Sequence, residues 1–248
     1  MKQLYIYIFL GLIQLLAGIS CTSSKNDGMN VSNSKGGSLA MFTTVGNYLY
    51  TVKDDKLTVF NLVDPAKPVF SSEQPIGANI ETIFPYNGKL FIGSGNAMYI
   101  YELNNAGKPE LAGTVQHLRS CDPVVAAGNT AYVTLRAGTS CGGVVNALMV
   151  YDVTDIKNPV QKVQIPFTGP YGLGVSQQAL YICDGEQGLV VMDITAPLDP
   201  QTVSTLKDAT YYDVIPYGET LICYVANGVC LYDISSPLQP VLLSKLLK

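Results

Sequence analysis

The chain has no tryptophan and a single histidine, His117. One imidazole excludes a His-ligated metal cluster. A Ser-His-Asp relay would have to pass through it, and no G-x-S-x-G elbow is there to present the serine. Charge is scarce as well: 14% of the 248 residues, against about a quarter in soluble domains. The net charge is −4, and −5 once Lys2 departs with a cleaved leader, so nothing resembles the basic footprint of a nucleic-acid binder. No segment sustains a helical period, which disfavours alternating strand-helix folds. The Gly-Ser-Gly at Gly93–Gly95 is followed by neither a helix nor a lysine, so it reads as a turn and not a phosphate loop. Cys183, Cys223 and Cys230 lie in apolar runs without zinc or redox spacing and read as small buried hydrophobes. No cofactor or metal is implied.

The chain does carry a leader. Met1-Lys2 is a minimal positive start, and Leu4 to Ile19 is an uncharged apolar run of 16 residues, short for a membrane span and typical of a secretory leader. It ends in Leu16-Ala17-Gly18-Ile19-Ser20-Cys21, which resembles the lipobox of bacterial lipoproteins, with Gly18 standing where leucine is commonest. The resemblance implies that residues 1–20 are removed and that Cys21 becomes a lipidated N-terminus, anchoring an exported protein to the bacterial cell envelope. Ordinary signal-peptidase cleavage nearby and an uncleaved anchor are the other readings. Residues 21–37 continue as a Ser-, Asn- and Gly-rich stretch with little to bury, a flexible tether. Lys25 and Asp27 faintly resemble the charged signals that send some lipoproteins to the outer membrane's outer face.

The remainder, 38–248, repeats itself. Phe60-Asn61-Leu62, Tyr101-Glu102-Leu103, Tyr151-Asp152-Val153, Met192-Asp193-Ile194 and Tyr232-Asp233-Ile234 each end an apolar run. A proline follows eight residues after the first position every time: Pro68, Pro109, Pro159, Pro200 and Pro240, at steps of 41, 50, 41 and 40 residues. Each unit supports four short strands. In the last these are Tyr212–Tyr217, Leu221–Val225, Val229–Ile234 and Val241–Leu246, with Asn227-Gly228 as the hairpin between the second and third. Four antiparallel strands in about 40 residues mark a β-propeller blade. The fold expected is all-β: a five-bladed propeller with blades at about 38–75, 76–117, 118–166, 167–207 and 208–248. Proline, lacking a donor, belongs at the entrance of each outer edge strand. The recurring Asp152, Asp193 and Asp233, with Asn61 and Glu102, read as turn-bonding residues.

These units resemble the LVIVD repeat of bacterial and archaeal surface proteins, most closely at Leu148-Met149-Val150-Tyr151-Asp152 and Leu189-Val190-Val191-Met192-Asp193. The resemblance covers Ser38 to Lys248 and implies propeller blades while saying almost nothing of chemistry. With an innermost strand first and an outermost strand last, ring closure is expected from the last blade packing face to face on the first. An open solenoid is the alternative.

Blade three departs from the pattern. From second-strand to third-strand landmark the distance is ten residues in blades one, two and five, and eleven in blade four. Between Tyr132 and Tyr151 it is nineteen, the extra stretch being roughly Arg136 to Val144. An enlarged loop on one face is where repeat proteins tend to bind partners. Cys141 in that loop and Cys121 at the start of the blade fall on the same rim. In an oxidising compartment a Cys121–Cys141 disulfide is expected there, worth about 3 kcal/mol in the chain-entropy model, two free thiols being the other reading.

Aligned first strands place Ala40, Glu81, Asp122, Tyr171 and Tyr212 in one column and Met41, Thr82, Pro123, Gly172 and Asp213 in the next, at the mouth of the axial channel. Arg119, Asp122, Arg136, Tyr171, Tyr212 and Asp213 are therefore the expected binding rim. Two functions fit. The first is a non-catalytic binding or scaffold protein, anchored by lipid, that takes a protein, peptide or glycan; its 16 tyrosines suit such contacts. The second is a polysaccharide hydrolase using Glu81, Asp122 and Asp213.

Overall fold

The computed structural model describes residues 37–116, 123–139 and 143–248. The leader, Cys21 and the rest of the tether to residue 36 lie outside the described residues, as do Arg119, Cys121, Asp122 and Cys141. Every regular element described is a β-strand, and the strands form five antiparallel sheets of four. Blade one holds β1 (Phe42–Val45), β2 (Tyr48–Lys53), β3 (Lys56–Asn61) and β4 (Val69–Pro75). Blade two holds β5 (Ile80–Tyr86), β6 (Lys89–Ser94), β7 (Ala97–Leu103) and β8 (Pro109–Gln116). Blade three holds β9 (Val124–Ala127), β10 (Thr130–Leu135), β11 (Ala147–Asp152) and β12 (Val160–Pro166). Blade four holds β13 (Leu173–Ser176), β14 (Ala179–Cys183), β15 (Leu189–Asp193) and β16 (Gln201–Leu206). Blade five holds β17 (Tyr211–Tyr217), β18 (Thr220–Val225), β19 (Gly228–Asp233) and β20 (Val241–Leu247). Each blade is a plain meander, and β1, β5, β9, β13 and β17 are the inner strands, each packed on the next.

The repeated residues have repeated jobs. Pro109 opens β8, and Pro68, Pro159, Pro200 and Pro240 stand immediately before their outer strands, where a missing N–H disturbs no ladder. Asn61, Asp152, Asp193 and Asp233 each accept the N–H two residues ahead, at 2.8, 3.0, 2.7 and 2.8 Å. Glu102 does something else: it faces Lys89 at 3.8 Å, and Asn104 takes over the turn by accepting from Ala106 and Lys108. A bulge recurs between the third and fourth strands of all five blades, at Val59/Phe60, Ile100/Tyr101, Val150/Tyr151, Val191/Met192 and Leu231/Tyr232. It adds local twist where the outer strand begins.

Blades join through apolar faces. One core cluster spans blades one and two, another two and three, a third three and four, and a fourth four and five. Second-strand tyrosines latch these interfaces. Tyr50, Tyr132 and Tyr181 donate their hydroxyls to the carbonyls of Gly107, Pro197 and Pro237, each in the turn of the following blade.

No such cluster joins blade five to blade one, so the expected face-to-face packing of the two is not found among the described residues; Gly37, ahead of β1, lies against Asp213 and Ile215 of blade five. The two ends differ in chemistry. Blade one's outward face satisfies itself: Lys56 meets Glu73 at 2.8 Å, Thr58 donates to the same carboxylate, and Phe60 stands edge-on to Phe70. The face is mixed, since Phe42 and Phe70 on it are 65% and 59% exposed. Blade five presents Ile215, Ile222 and Leu231 side by side, and Tyr224, Val229 and Leu246 beside them. None of these six is buried, and Leu246 is 65% exposed. The channel is crossed instead by residues 37–40. Ser38 Oγ accepts the Leu173 N–H of blade four at 2.7 Å, and Ala40 O accepts the Ile83 N–H of blade two at 2.8 Å.

Candidate functional site at the rim

The rim is built where inner strands begin. At Ile80/Thr82 and again at Tyr211/Asp213 the first-to-second-strand register slips, leaving Glu81 and Tyr212 as the extra residues. A bulge frees a side chain from the ladder and re-aims it, so the column read from sequence is a column of bulges in blades two and five. The Tyr212 backbone is fixed by its carbonyl, which accepts the Gly172 N–H at 2.9 Å. Tyr171 is held from two sides: its N–H donates to Cys183 O at 2.7 Å, and its carbonyl accepts the Thr134 hydroxyl at 2.7 Å.

Blade three's longer loop adds the cation. Asn146 ties its base, accepting the Ala137 N–H and donating to Thr168 O, both at 2.7 Å. Arg136, beside Ala137, lays its guanidinium 3.8 Å from the Tyr171 ring centroid. Tyr171 meets Tyr212 edge-on at 5.0 Å, and Tyr212 meets Tyr224 at 5.9 Å. The result is one continuous cation–aromatic train across blades three, four and five, ending on Tyr224, 57% exposed. Of the six rim residues expected from sequence, the structure brings Arg136, Tyr171 and Tyr212 together. Tyr224 was missed; it sits in a second strand, at a position that other blades bury, and only the uncovered blade-five face exposes it.

Asp213 takes a different place. Its carboxylate lies where a Cβ on Gly172 or Gly37 would be, about 2.1 and 2.4 Å from those ideal positions, so both residues must be glycine for the carboxylate to fit. Oδ1 is shielded from solvent and has no hydrogen-bond partner among the described residues. Burial pushes its pKa up to about 6, against the pull of the Val214 N–H. Glu81 is half-buried on β5. A second carboxylate, Asp208, opens blade five: it accepts from Tyr211 at 2.5 Å and Tyr232 at 3.0 Å, and Lys245 lies 2.9 Å away. Burial opposes its charge, but these bonds together bring it down to about 2. Cys183, Cys223 and Cys230 are free and buried, and burial raises each thiol. Among the described residues no group of His, Cys, Asp and Glu could hold a metal ion.

Comparison with known proteins matches residues 172–208 to the LVIVD repeat model. That is one blade's worth of the chain. No curated protein matches by sequence. Solved structures match over most of the chain. A periplasmic gluconolactonase of Pseudomonas aeruginosa, PpgL, is 14% identical with TM-score 0.62, covering 82% of this chain and 68% of that one. A protein from Lactobacillus plantarum is 13% identical with TM-score 0.61, covering 81% and 68%. BamB from Moraxella catarrhalis is 8% identical with TM-score 0.56, covering 75% and 55%. Likeness at such identities is likeness of fold, and it places the chain among the β-propellers.

Proposed function

We propose that this is an exported, lipid-anchored binding or scaffold protein of the cell envelope. It engages a protein, peptide or glycan through the rim of blades three to five. The observation that carries the reading is the Arg136–Tyr171–Tyr212–Tyr224 train. Flat amphipathic rings backed by a guanidinium give contact area at small entropic cost, the composition interfaces and sugar sites favour. The enlarged loop of blade three, with the expected Cys121–Cys141 bridge, would brace the cationic end. Anchorage through Cys21 rests on the leader's resemblance to a lipobox, and an outer-membrane address on the resemblance of Lys25 and Asp27 to the charged signals of outer-face lipoproteins.

A hydrolase reading has one observation in its favour, the raised pKa of Asp213, as a general acid requires. Against it, Gly37 covers the carboxylate, and Oδ1 has no access to solvent. A glycan- and peptide-array screen with a parallel hydrolysis assay separates the two. The binding reading predicts array signals that fall in a Tyr212→Ala/Tyr224→Ala double variant, without turnover. Turnover abolished by Asp213→Asn would establish the enzyme instead.

A further inference from the structure

The face opposite the rim carries a second feature. Inner strands run from the rim towards their hairpins: Tyr171 precedes β13, and Gln177 follows it. Around the axis, between the rim crossing of residues 37–40 and the hairpin face, lies a cavity of about 490 Å³. That is within the roughly 300–1,000 Å³ usual for small-molecule sites. At its rim end Leu173, whose N–H is taken by Ser38, lines the wall.

Its walls are apolar for reasons visible in the sequence. Blades two and five place Phe84-Pro85 and Val214 with Pro216 on it; a proline on an inner edge strand removes the backbone donor that would otherwise face the channel. Blades three and four hollow it with Ala127, Gly128 and Gly174. Among the described residues that line it none is charged. Two neutral polar groups mark the mouth. Tyr86 Oη accepts the Gly128 N–H at 2.7 Å, so its own proton is directed elsewhere. Gln177, in the left-handed region at φ 52°, also lines the opening.

We propose that this axial cavity binds a neutral, lipid-like molecule, an apolar chain or ring body carrying one uncharged oxygen head. The body fills the space between the inner strands, and the head meets Tyr86 and Gln177. A charged head would be desolvated there with no counter-ion among the described lining residues. The site lies on another face and does not depend on the rim reading.

Fluorescence titration of the detergent-free exported protein with the uncharged dye phenylnaphthylamine tests this. One saturable site per chain is expected, displaced by dodecanol at a concentration about tenfold lower than by dodecanoate or dodecyltrimethylammonium. Ala127→Trp, which fills the cavity, should weaken the dye by about tenfold or more; Leu231→Glu, on the uncovered blade-five face, should leave it within about twofold. Should Ala127→Trp fail to fold, Val175→Phe narrows the same space. Absence of a saturable site, indifference to the filling variant, equal displacement by charged chains, or loss with Leu231→Glu would each overturn the proposal.

Discussion

Tyr181 gives its hydroxyl proton to the carbonyl of Pro237, 2.7 Å away across the seam between blades four and five. The same bond joins Tyr50 to Gly107 and Tyr132 to Pro197, so three of the four seams share one latch. At the remaining seam the column holds Phe91, which has no hydroxyl to give. Burial raises the pKa of all three tyrosines, which keeps them protonated as donors at any physiological pH.

Tyr181→Phe should therefore strand a buried carbonyl. A loss of about 1–2 kcal/mol in urea unfolding is expected, with an unchanged slope. Tyr217→Phe, on a ring 67% exposed, should cost nothing measurable.

The blade-five face offers a sharper contrast. Val191 in blade four and Leu231 in blade five occupy the same position of the repeat, but Val191 is fully buried and Leu231 is not. Val191→Glu should destabilise by about 4 kcal/mol or more, Leu231→Glu by about 1 kcal/mol or less. Equal losses would mean that the last blade is sealed.

Asp213 makes stability depend on pH. Its folded value, about 6, is above that of an exposed carboxyl, so the contribution is present in acid and lost as pH rises through about 6. Asp213→Asn should leave thermal stability nearly unchanged near about pH 4 and raise it above about pH 7 by on the order of 3 kcal/mol. A variant destabilised at neutral pH would show that the charged form is held by a partner.

Asp208 behaves oppositely. Hydrogen bonds from Tyr211, Lys245 and Tyr232 outweigh burial and hold it at about 2, so its stabilisation is present at neutral pH and disappears as pH falls towards that value. Lys245→Ala should move its titration towards the ordinary carboxylate range, read by carbon-detected NMR, and shift acid unfolding to higher pH.

Strand order, blade count and the work of the prolines were legible because each is local and repeated five times. The residue after Tyr151 and its cognates bonds the turn in four blades, and in blade two Asn104 does so in place of Glu102. What stayed hidden depends on neighbours. The bulges that free Glu81 and Tyr212 alter register without altering composition. Asp213 looks like a rim carboxylate until Gly37 and Gly172 are seen to enclose it, one of them over 170 residues away in the chain. Packing of blade five on blade one was expected because Ile222, Val229 and Leu231 have the chemistry of an interior face; sequence shows that a face is apolar, and among the described residues these three stay outside the core.

The proposed binding role of the rim can be tested without knowing its ligand. Hydroxyl-radical footprinting of the protein in envelope fractions, compared with the purified chain, reports tyrosine exposure ring by ring. Occupancy of the rim predicts that Tyr212 and Tyr224 are protected by about threefold or more while Tyr217, on the opposite face, reacts equally in both. Equal reactivity of Tyr224 in the two preparations, or protection at Tyr217 alone, would contradict it.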